Sequence, residues 1–274
     1  MGVAKKRVTV ISAILITMFI IWISIPLLLV FLQAIRPPIY TFTVPPTMIF
    51  TPTIENFERA LKDDIFHFFR NSIIIAVSST FICLTLGSMC AYALSRLKIP
   101  GRHIWAFLIL VTRMVPVGTL MIPIYVIMRV FGLANTHIAV ILTHATLNLP
   151  FTIWMMRSFF DEVPEELEHA AMIDGCSRIK AFLEISLPLS AAGLAATGIL
   201  TIIFSWNEFM FSLILTDAAT RTIPVWISGF IAIVSVNWGG SSAATVLALI
   251  PIFIAGIAVQ KYLVRGLTMG AVKG

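Results

Sequence analysis

Six apolar runs, each long enough to cross a bilayer as a helix, constrain this chain more than any other feature. A membrane-spanning helix needs about 20 apolar residues, because lipid offers no partner for an unbonded backbone group. Soluble domains carry roughly 25% charged residues, whereas only 12% of these 274 residues are charged. The sequence therefore predicts an all-α, polytopic membrane protein with six transmembrane helices. The predicted spans are residues 11–33, 72–95, 104–128, 138–156, 189–215 and 243–262.

Lysine and arginine predict the orientation, because basic residues concentrate in cytoplasmic loops. With six crossings and a cytoplasmic N-terminus, twelve basic residues fall inside, six fall outside, and Arg113 lies within a span. The uncharged stretch 222–260 leaves seven crossings open, but these would move three basic residues of the tail outside. Six crossings are favoured, with both termini cytoplasmic and residues 222–242 as a re-entrant or surface-lying segment. The first run has no clear small-residue cleavage site and is interpreted as a retained anchor.

The net charge of +6 does not indicate nucleic-acid binding, because the basic residues lie at the ends of the apolar runs. Cys83 and Cys90 lie in a predicted span and Cys176 in a predicted loop, so we expect no disulfide.

The charged segment between the fourth and fifth runs, residues 164–188, is here called the polar hairpin. Pro164 suits the first position of a helix, and acidic residues follow it where the helix dipole favours them. Leu167, Ala170 and Ala171 then share one small, apolar face. The segment is therefore expected to begin with a short amphipathic helix.

A second short helix is expected after a glycine turn. Gly175 is a helix-stop signal and Ser177 can cap the next helix. That helix is expected to turn Ile179, Phe182 and Leu183 inward and to end at Leu187-Pro188.

The polar hairpin resembles the EAA loop of ABC importer permeases through Ala170-Ala171, Gly175 and the spacing of Ile185 before Leu187-Pro188. In that family the loop docks into a cleft on a cytoplasmic ATPase subunit and carries its motion to the membrane. His169 stands where the family has glutamate, and Glu168 lies one position earlier. The alternative is an ordinary cytoplasmic amphipathic hairpin. The ATPase-coupling residues that the resemblance implies are Glu168, His169, Ala170, Ala171, Asp174, Gly175, Leu187 and Pro188.

Further stretches match the same family over most of the chain and are similar to its carbohydrate-importing branch, within it the smaller, maltose-type second permease. These stretches are residues 91–96 with 100–102, 112–116, 148–151, 206–208 and 266–274. The resemblance implies a type I importer permease fold: one transmembrane domain over residues 1–274, with a core at 71–265 and a cytoplasmic coupling loop at 157–188. It further implies a bacterial inner-membrane location and a sugar or sugar-like cargo.

The partners implied by the resemblance are a second permease subunit, two ATP-binding subunits and an extracytoplasmic solute-binding protein. ATP and Mg would be bound by those ATPase subunits and no cofactor by this chain, which has no glycine-rich, lysine-bearing phosphate loop.

Ionisable residues inside apolar runs are costly and are therefore candidates for a substrate pathway. Arg113 and Glu208 are separated axially by about 10 Å, so a direct pair is possible but not favoured. Either could instead hold a helix–helix contact or face the partner subunit. The motif residues Asn148, Trp206 and Asn207 join the pathway candidates.

Each of these polar or aromatic residues also has a plainer interpretation. Asn148, two residues before Pro150, could line a pathway or merely satisfy a kink. His144 is expected to be an interhelical hydrogen-bond partner. Trp206 beside Asn207 could stack on a sugar or anchor the chain at the outer interface.

No catalytic or metal-binding residues are predicted, because no HExxH motif occurs and the five histidines are scattered. The chain is therefore not expected to be an enzyme. Two alternatives stay open. The first is the same machinery importing a polyol, a glycerol phosphodiester or a sulfonated sugar derivative. The second is a stand-alone secondary transporter or membrane enzyme, although the chain lacks the paired interrupted helices that mark many secondary transporters.

Overall fold

The computed structural model describes residues 2–45, 47, 49–62, 64–231 and 236–269, and this part of the chain is predominantly helical. Within these residues, four stretches are long and apolar enough to cross a membrane. They are Ile11–Ala34 of α1 (Gly2–Ala34), α3 (Ile65–Arg96), α6 (His137–Glu162) and Trp238–Ile257 of α13 (Trp238–Met269). The remaining helices are α2 (Glu55–Lys62), α4 (Arg102–Thr112), α5 (Val117–Val130), α7 (Glu165–Ile173), α8 (Arg178–Ala181), α9 (Leu187–Leu189), α10 (Ala191–Trp206), α11 (Met210–Leu215) and α12 (Ile223–Ser228).

Two further crossings are formed only if sharply bent helix pairs are counted as one span each. Helices α4 and α5 meet at 89°, and the helix Arg178–Leu189 meets α10 at 77°. Four continuous helices and two bent pairs give up to six crossings. The all-α, polytopic prediction is confirmed.

The prediction of a continuous third and fifth span is wrong. The third breaks between Thr112 and Val117, because Pro116 has no backbone N–H and restricts the residue before it. The fifth breaks at Ser190 and again between Trp206 and Met210. Glu208 therefore lies in a break between two helices and Arg113 at the end of α4, rather than within regular spans.

The helices of the second and last spans begin earlier than predicted. Helix α3 begins seven residues before residue 72, at Ile65. Helix α13 begins at Trp238, so Gly239 and Gly240, placed by the sequence in a re-entrant segment, lie in its first turn. Residues 232–235 lie outside the described part of the chain, and re-entry of 222–242 stays a prediction.

The chain groups into two compact units, Met1–Ile65 with Ile227–Ile250 and Phe66–Trp226 with Pro251–Gly274. In the first unit, the buried Asn56 side chain donates to the carbonyls of Ala34 and Arg36, each at 2.9 Å. These bonds tie α2 to the end of α1. Residues 11–29 of α1 are all exposed, an apolar surface that suits lipid or another subunit.

The second unit contains the polar hairpin and two apolar clusters. One cluster joins α3, α6 and α11 through Ile75, Val140, Phe211 and Leu215. The other lies beneath the polar hairpin and joins α3 and α6 to it; its buried members are Ala91, Tyr92, Leu94, Ile153, Met156, Phe160 and Phe182. This second cluster fixes where the hairpin sits relative to the long helices.

Candidate functional site

The polar hairpin folds as two short helices around a left-handed glycine. Pro164 precedes α7 rather than being its first residue, a one-residue correction. Gly175 has φ +89°, a conformation that glycine adopts at little cost. The Ser177 side chain accepts a hydrogen bond from the Lys180 N–H at 3.3 Å and starts α8 as expected.

The second helix ends at Leu189, one residue after the Leu187-Pro188 terminus expected from the sequence. Helix α8 continues through a π-helical turn, Phe182–Ser186, into α9, and the chain bends only at Ser190. Pro188 cannot donate to the carbonyl of Glu184 four residues back, and the widened turn directly before it accommodates that missing bond.

The hairpin exposes large apolar side chains. Ile173, Ile179 and Leu183 are 86%, 73% and 53% exposed. The prediction that Ile179 and Leu183 turn inward is wrong, whereas Phe182 is buried as expected. Exposed apolar side chains clustered on one short segment are typical of a protein interaction site.

Most of the other predicted coupling residues reach solvent. His169, Ala170, Asp174 and Pro188 are exposed, and Ala171 and Leu187 are half-buried. Their assignment to ATPase coupling stays a prediction, and their exposure leaves them available to a partner.

Glu168 points in the opposite direction and is only 2% exposed. Its carboxylate accepts hydrogen bonds from Tyr92 Oη at 2.6 Å, Arg96 Nε at 2.7 Å and Ser186 Oγ at 2.6 Å. These four side chains are here called the Glu168 clamp. The Glu168 carboxylate is therefore bonded inside this chain and is not presented at the hairpin surface, and its assignment to ATPase coupling stays a prediction.

The clamp carboxylate is held ionised. Burial raises the pKa of Glu168, but the bonds from Arg96, Ser186 and Tyr92 and the charge of Arg96 outweigh it and hold the pKa below 4.5. Removing one partner of such a buried pair costs about 3–5 kcal/mol, because the other charge is left uncompensated.

Arg96 also bonds to the connection that precedes the polar hairpin. Its Nη2 donates to the carbonyl of Val163, the first of the two residues between α6 and α7, at 2.6 Å. Around it, the ring of Tyr92 packs against Phe182 at 4.8 Å and against Phe160 at 5.9 Å between centroids. The end of α3 is thus hydrogen-bonded to α7 and to the connection between α6 and α7, and it contacts the second hairpin helix through the packing of Tyr92 on Phe182.

Glu208 belongs to a separate polar cluster. His144 lies 2.9 Å from a Glu208 carboxylate oxygen and 2.7 Å from Ser205 Oγ. Glu208 also accepts from the backbone N–H groups of Phe211 and Ser212, at 2.8 and 3.0 Å, and so caps α11. The expectation that His144 is an interhelical partner is confirmed, and Glu208 fastens the break before α11 to α6.

Arg113 and Asn148 come together at a different place. The Arg113 guanidinium lies over the rings of Phe151 and Phe204, 5.0 and 4.8 Å from their centroids, in cation–π geometry. Arg113 and Asn148 both line a cavity of about 470 Å³ between the α4–α5 bend and α6. Within the described residues, no ion pair links Arg113 to Glu208.

The remaining pathway candidates do not line that cavity. Trp206 is 6% exposed and its ring centroid lies 6.0 Å from that of Phe69, so its ring is enclosed by the chain. Asn207 is exposed, and its side-chain amide donates to the Ile203 carbonyl of its own helix at 2.8 Å. The structure therefore divides the five pathway candidates into three groups. Arg113 and Asn148 line the cavity, Glu208 belongs to the cluster with His144, and Trp206 and Asn207 make only local contacts.

Sequence reasoning missed the roles of Tyr92, Arg96 and Ser186. Tyr92 and Arg96 are one helical turn apart at the end of an apolar run, which marks them as neighbours but names no partner. Over the described part of the chain, no group of three or more His, Cys, Asp or Glu side chains is placed to hold a metal ion.

Comparisons with known proteins place these features in context. A family model described as binding-protein-dependent transport system inner membrane component matches residues 83–269. The trehalose/maltose transport system permease protein MalG of Thermococcus litoralis is 39% identical over 85% of this chain and 86% of its own length. The sulfoquinovosyl glycerol transport system permease protein SmoH of Agrobacterium fabrum is 38% identical over 81% and 79%. A bacterial ABC transporter that imports the acidic polysaccharide alginate contains a chain with TM-score 0.76 and 25% identity, covering 94% of this chain and 97% of that one.

Proposed function

This chain belongs to the inner membrane components of binding-protein-dependent transport systems, and we propose that it is the permease subunit of an ABC importer for a sugar or sugar-like solute. The observation that carries the proposal is the polar hairpin, whose inner side is bonded to α3 while Ile173, Ile179 and Leu183 are left exposed. A segment fixed on one side and apolar on the other suits a docking element for an ATPase subunit.

The assembly proposed is the one that the family resemblance implies. This chain pairs with a second permease, two ATP-binding subunits and an extracytoplasmic solute-binding protein. ATP and Mg bind to the ATPase subunits. Both termini and the polar hairpin lie on the cytoplasmic side, in keeping with the distribution of basic residues.

Import follows from alternating access. Closure of the ATPase subunits displaces the polar hairpin, and the displacement rotates the long helices attached to it. The solute passes a cavity to which this chain contributes Arg113 and Asn148. Such a cavity needs polar groups that hydrogen-bond the hydroxyls of the solute, but only weak affinity for it, because a permease that binds its solute tightly releases it slowly.

A sugar cargo is supported by the two similar permeases, which belong to transport systems for trehalose/maltose and for sulfoquinovosyl glycerol. A sulfonated sugar derivative is the second candidate. It is favoured by the guanidinium of Arg113 at the cavity wall, with no carboxylate paired to it among the described residues. Polyols and glycerol phosphodiesters remain cargo alternatives without such an observation, and a stand-alone secondary transporter is disfavoured by the family match.

Binding to the cognate solute-binding protein is the test of cargo, because that protein selects what the permease receives. The purified binding protein is titrated by calorimetry with trehalose, maltose, sulfoquinovosyl glycerol, glycerol and glycerophosphocholine. We expect saturable binding of a sugar, followed by ATP-dependent uptake of the same sugar into proteoliposomes holding the whole complex. Uptake that persists without ATP or without the ATPase subunits would overturn the importer assignment.

A further inference from the structure

Within the described part of the chain, the hydrogen bonds that join the polar hairpin to α3 converge on one carboxylate. Glu168 lies on α7, Ser186 in the π-helical turn of the second hairpin helix, and Tyr92 and Arg96 on α3. All three partners donate to Glu168 at 2.6–2.7 Å. One buried group therefore holds both arms of the hairpin and a long helix together.

We propose that the Glu168 clamp is the joint through which displacement of the polar hairpin reaches helix α3, with Glu168 and Arg96 as its positioning residues. The inference rests on the proposed function, since it needs an ATPase that moves the hairpin. It assigns Glu168 to transmission within this chain, and leaves contact with the ATPase to the exposed hairpin residues.

Burial makes this joint stiff. The side chains of Glu168 and Arg96 are 2% and 4% exposed, so water does not compete for their hydrogen bonds. Short, charge-assisted hydrogen bonds are directional and therefore restrict the relative motion of the helices. Packed aromatic rings restrict it less, because they can slide past one another. The bonds from Arg96 to Glu168 and to the Val163 carbonyl fix its guanidinium at two points, so that the hairpin cannot pivot about either alone.

The position of Arg96 gives the joint a long reach. Arg96 is the last residue of α3, a helix of 32 residues that extends roughly 48 Å at 1.5 Å per residue. The apolar cluster beneath the hairpin also contacts α6 through Met156 and Phe160. A displacement of the hairpin therefore moves the ends of two long helices. The clamp makes α3 move together with the hairpin as one rigid body.

Spin-label distances measured in the whole complex test this joint directly. One label is placed on Cys176 in the hairpin and one on an introduced Lys98→Cys, an exposed position just beyond α3, with Cys83→Ser and Cys90→Ala removing the other thiols. Distances are recorded by double electron–electron resonance with and without Mg-ATP, while ATP hydrolysis is measured on the same samples. In the otherwise unaltered chain we expect a narrow distribution whose mean does not shift with nucleotide, because the hairpin and α3 move as one body.

Glu168→Gln is expected to broaden this distribution and to make its mean shift on addition of Mg-ATP, although the complex still hydrolyses ATP. The matched control is Glu166→Gln, an exposed carboxyl on the same helix, which is expected to leave the distribution unchanged. An assembled Glu168→Gln complex with the distribution of the unaltered chain in both nucleotide states overturns the proposal.

Two milder variants decide the outcome if Glu168→Gln fails to assemble. Tyr92→Phe and Ser186→Ala each remove one bond to Glu168 and keep the ion pair with Arg96. A smaller broadening in either supports the joint, and unchanged distributions in both contradict it. Failure of the ATPase subunits to co-purify with the unaltered chain would instead contradict the proposed function, so the two failures are distinguishable.

Discussion

A buried carboxylate is stable only where donors replace the water it has lost, and Glu168 has three such donors from α3 and the hairpin. Because the pKa of Glu168 is held below 4.5, the folded state binds this proton less readily than the unfolded chain. The stabilisation is fully present above pH 4.5 and is lost as the pH falls through the folded pKa.

Acid is therefore expected to loosen the hairpin. Between pH 7 and pH 3, hydrogen exchange of residues 165–189, corrected for the intrinsic pH dependence of exchange, should lose protection below about pH 4.5. Glu168→Gln should start with lower protection at pH 7 and show a much smaller acid-induced loss. An identical pH profile in the two proteins would contradict the role given to the carboxylate.

Glu208 illustrates the same principle within the apolar part of the chain. Glu208→Gln keeps one of the two side-chain oxygens that accept from the α11 N–H groups, whereas Glu208→Leu leaves both N–H groups and His144 without that partner. An unsatisfied buried donor costs about 1–3 kcal/mol. We expect Glu208→Gln to assemble and transport moderately less, and Glu208→Leu to reduce the amount of assembled complex severely.

Quantitative purification of the complex, with uptake expressed per complex, separates these effects. Arg113→Ala provides the contrast, because loss of a cavity-lining group should lower the rate per complex more than the amount of complex. Normal assembly of Glu208→Leu would show that the cap on α11 is dispensable.

Sequence reasoning at this scale found costly residues but not their partners. Glu208 was a pathway candidate because a charge in an apolar run is expensive, yet His144, which holds it, is 64 residues away. Tyr92 lies 76 residues from Glu168. Such pairs depend on how helices pack, and nothing in the local pattern around either residue specifies it.

At the scale of secondary-structure elements, the turn of the polar hairpin requires glycine because of its backbone conformation, not because a side chain would lack room. Gly175 has φ +89°, and a Cβ added there would meet no heavy atom within 4 Å. Gly175→Arg is therefore penalised by its backbone, by about 1–2 kcal/mol, and by a bulky cation on the proposed docking surface. We expect the variant to remain in the membrane and hydrolyse ATP while sugar uptake falls.

Gly118→Ala is the matched control, because a Cβ there also meets nothing within 4 Å and its φ is not positive. It should transport normally. Normal uptake by Gly175→Arg in the same proteoliposomes, measured against the hydrolysis rate, would remove the hairpin from the coupling route.

A helix end is predictable from the sequence where a single residue type determines it. It is not predictable where it depends on how neighbouring helices pack. Gly175 and Ser177 ended and started helices as their chemistry requires. Pro116 marks a break, but the 89° bend depends on what packs on either side. Leu187-Pro188 predicts the helix end to within one residue, but the π-helical turn before it has no signal in the local sequence.

For the molecule as a whole, the apolar runs were enough to predict an all-α membrane protein, because lipid permits few other folds. Orientation rests on basic residues alone and is tested through the native thiols. Cys176 is partly exposed in the hairpin, and Cys83 is fully buried in α3. A membrane-impermeant maleimide should label Cys176 in inside-out vesicles and not in intact cells.

Labelling of Cys176 in intact cells would contradict the predicted orientation, because it would place the hairpin on the side of the membrane opposite to a cytoplasmic ATPase. Cys176→Ser supplies the background signal, since Cys90 is only partly buried.

Site-specific photo-crosslinking from the exposed hairpin tests the central claim, that this chain couples an ATPase to import. A photoreactive amino acid replaces Ile179, which is 73% exposed, and in a control replaces Phe81, which is 70% exposed in the membrane-spanning part of α3. The proposed function predicts that Ile179, and not Phe81, cross-links to the ATP-binding subunit, with a yield that changes when Mg-ATP is added. Equal yields at both positions, or no ATPase adduct from Ile179, would contradict it.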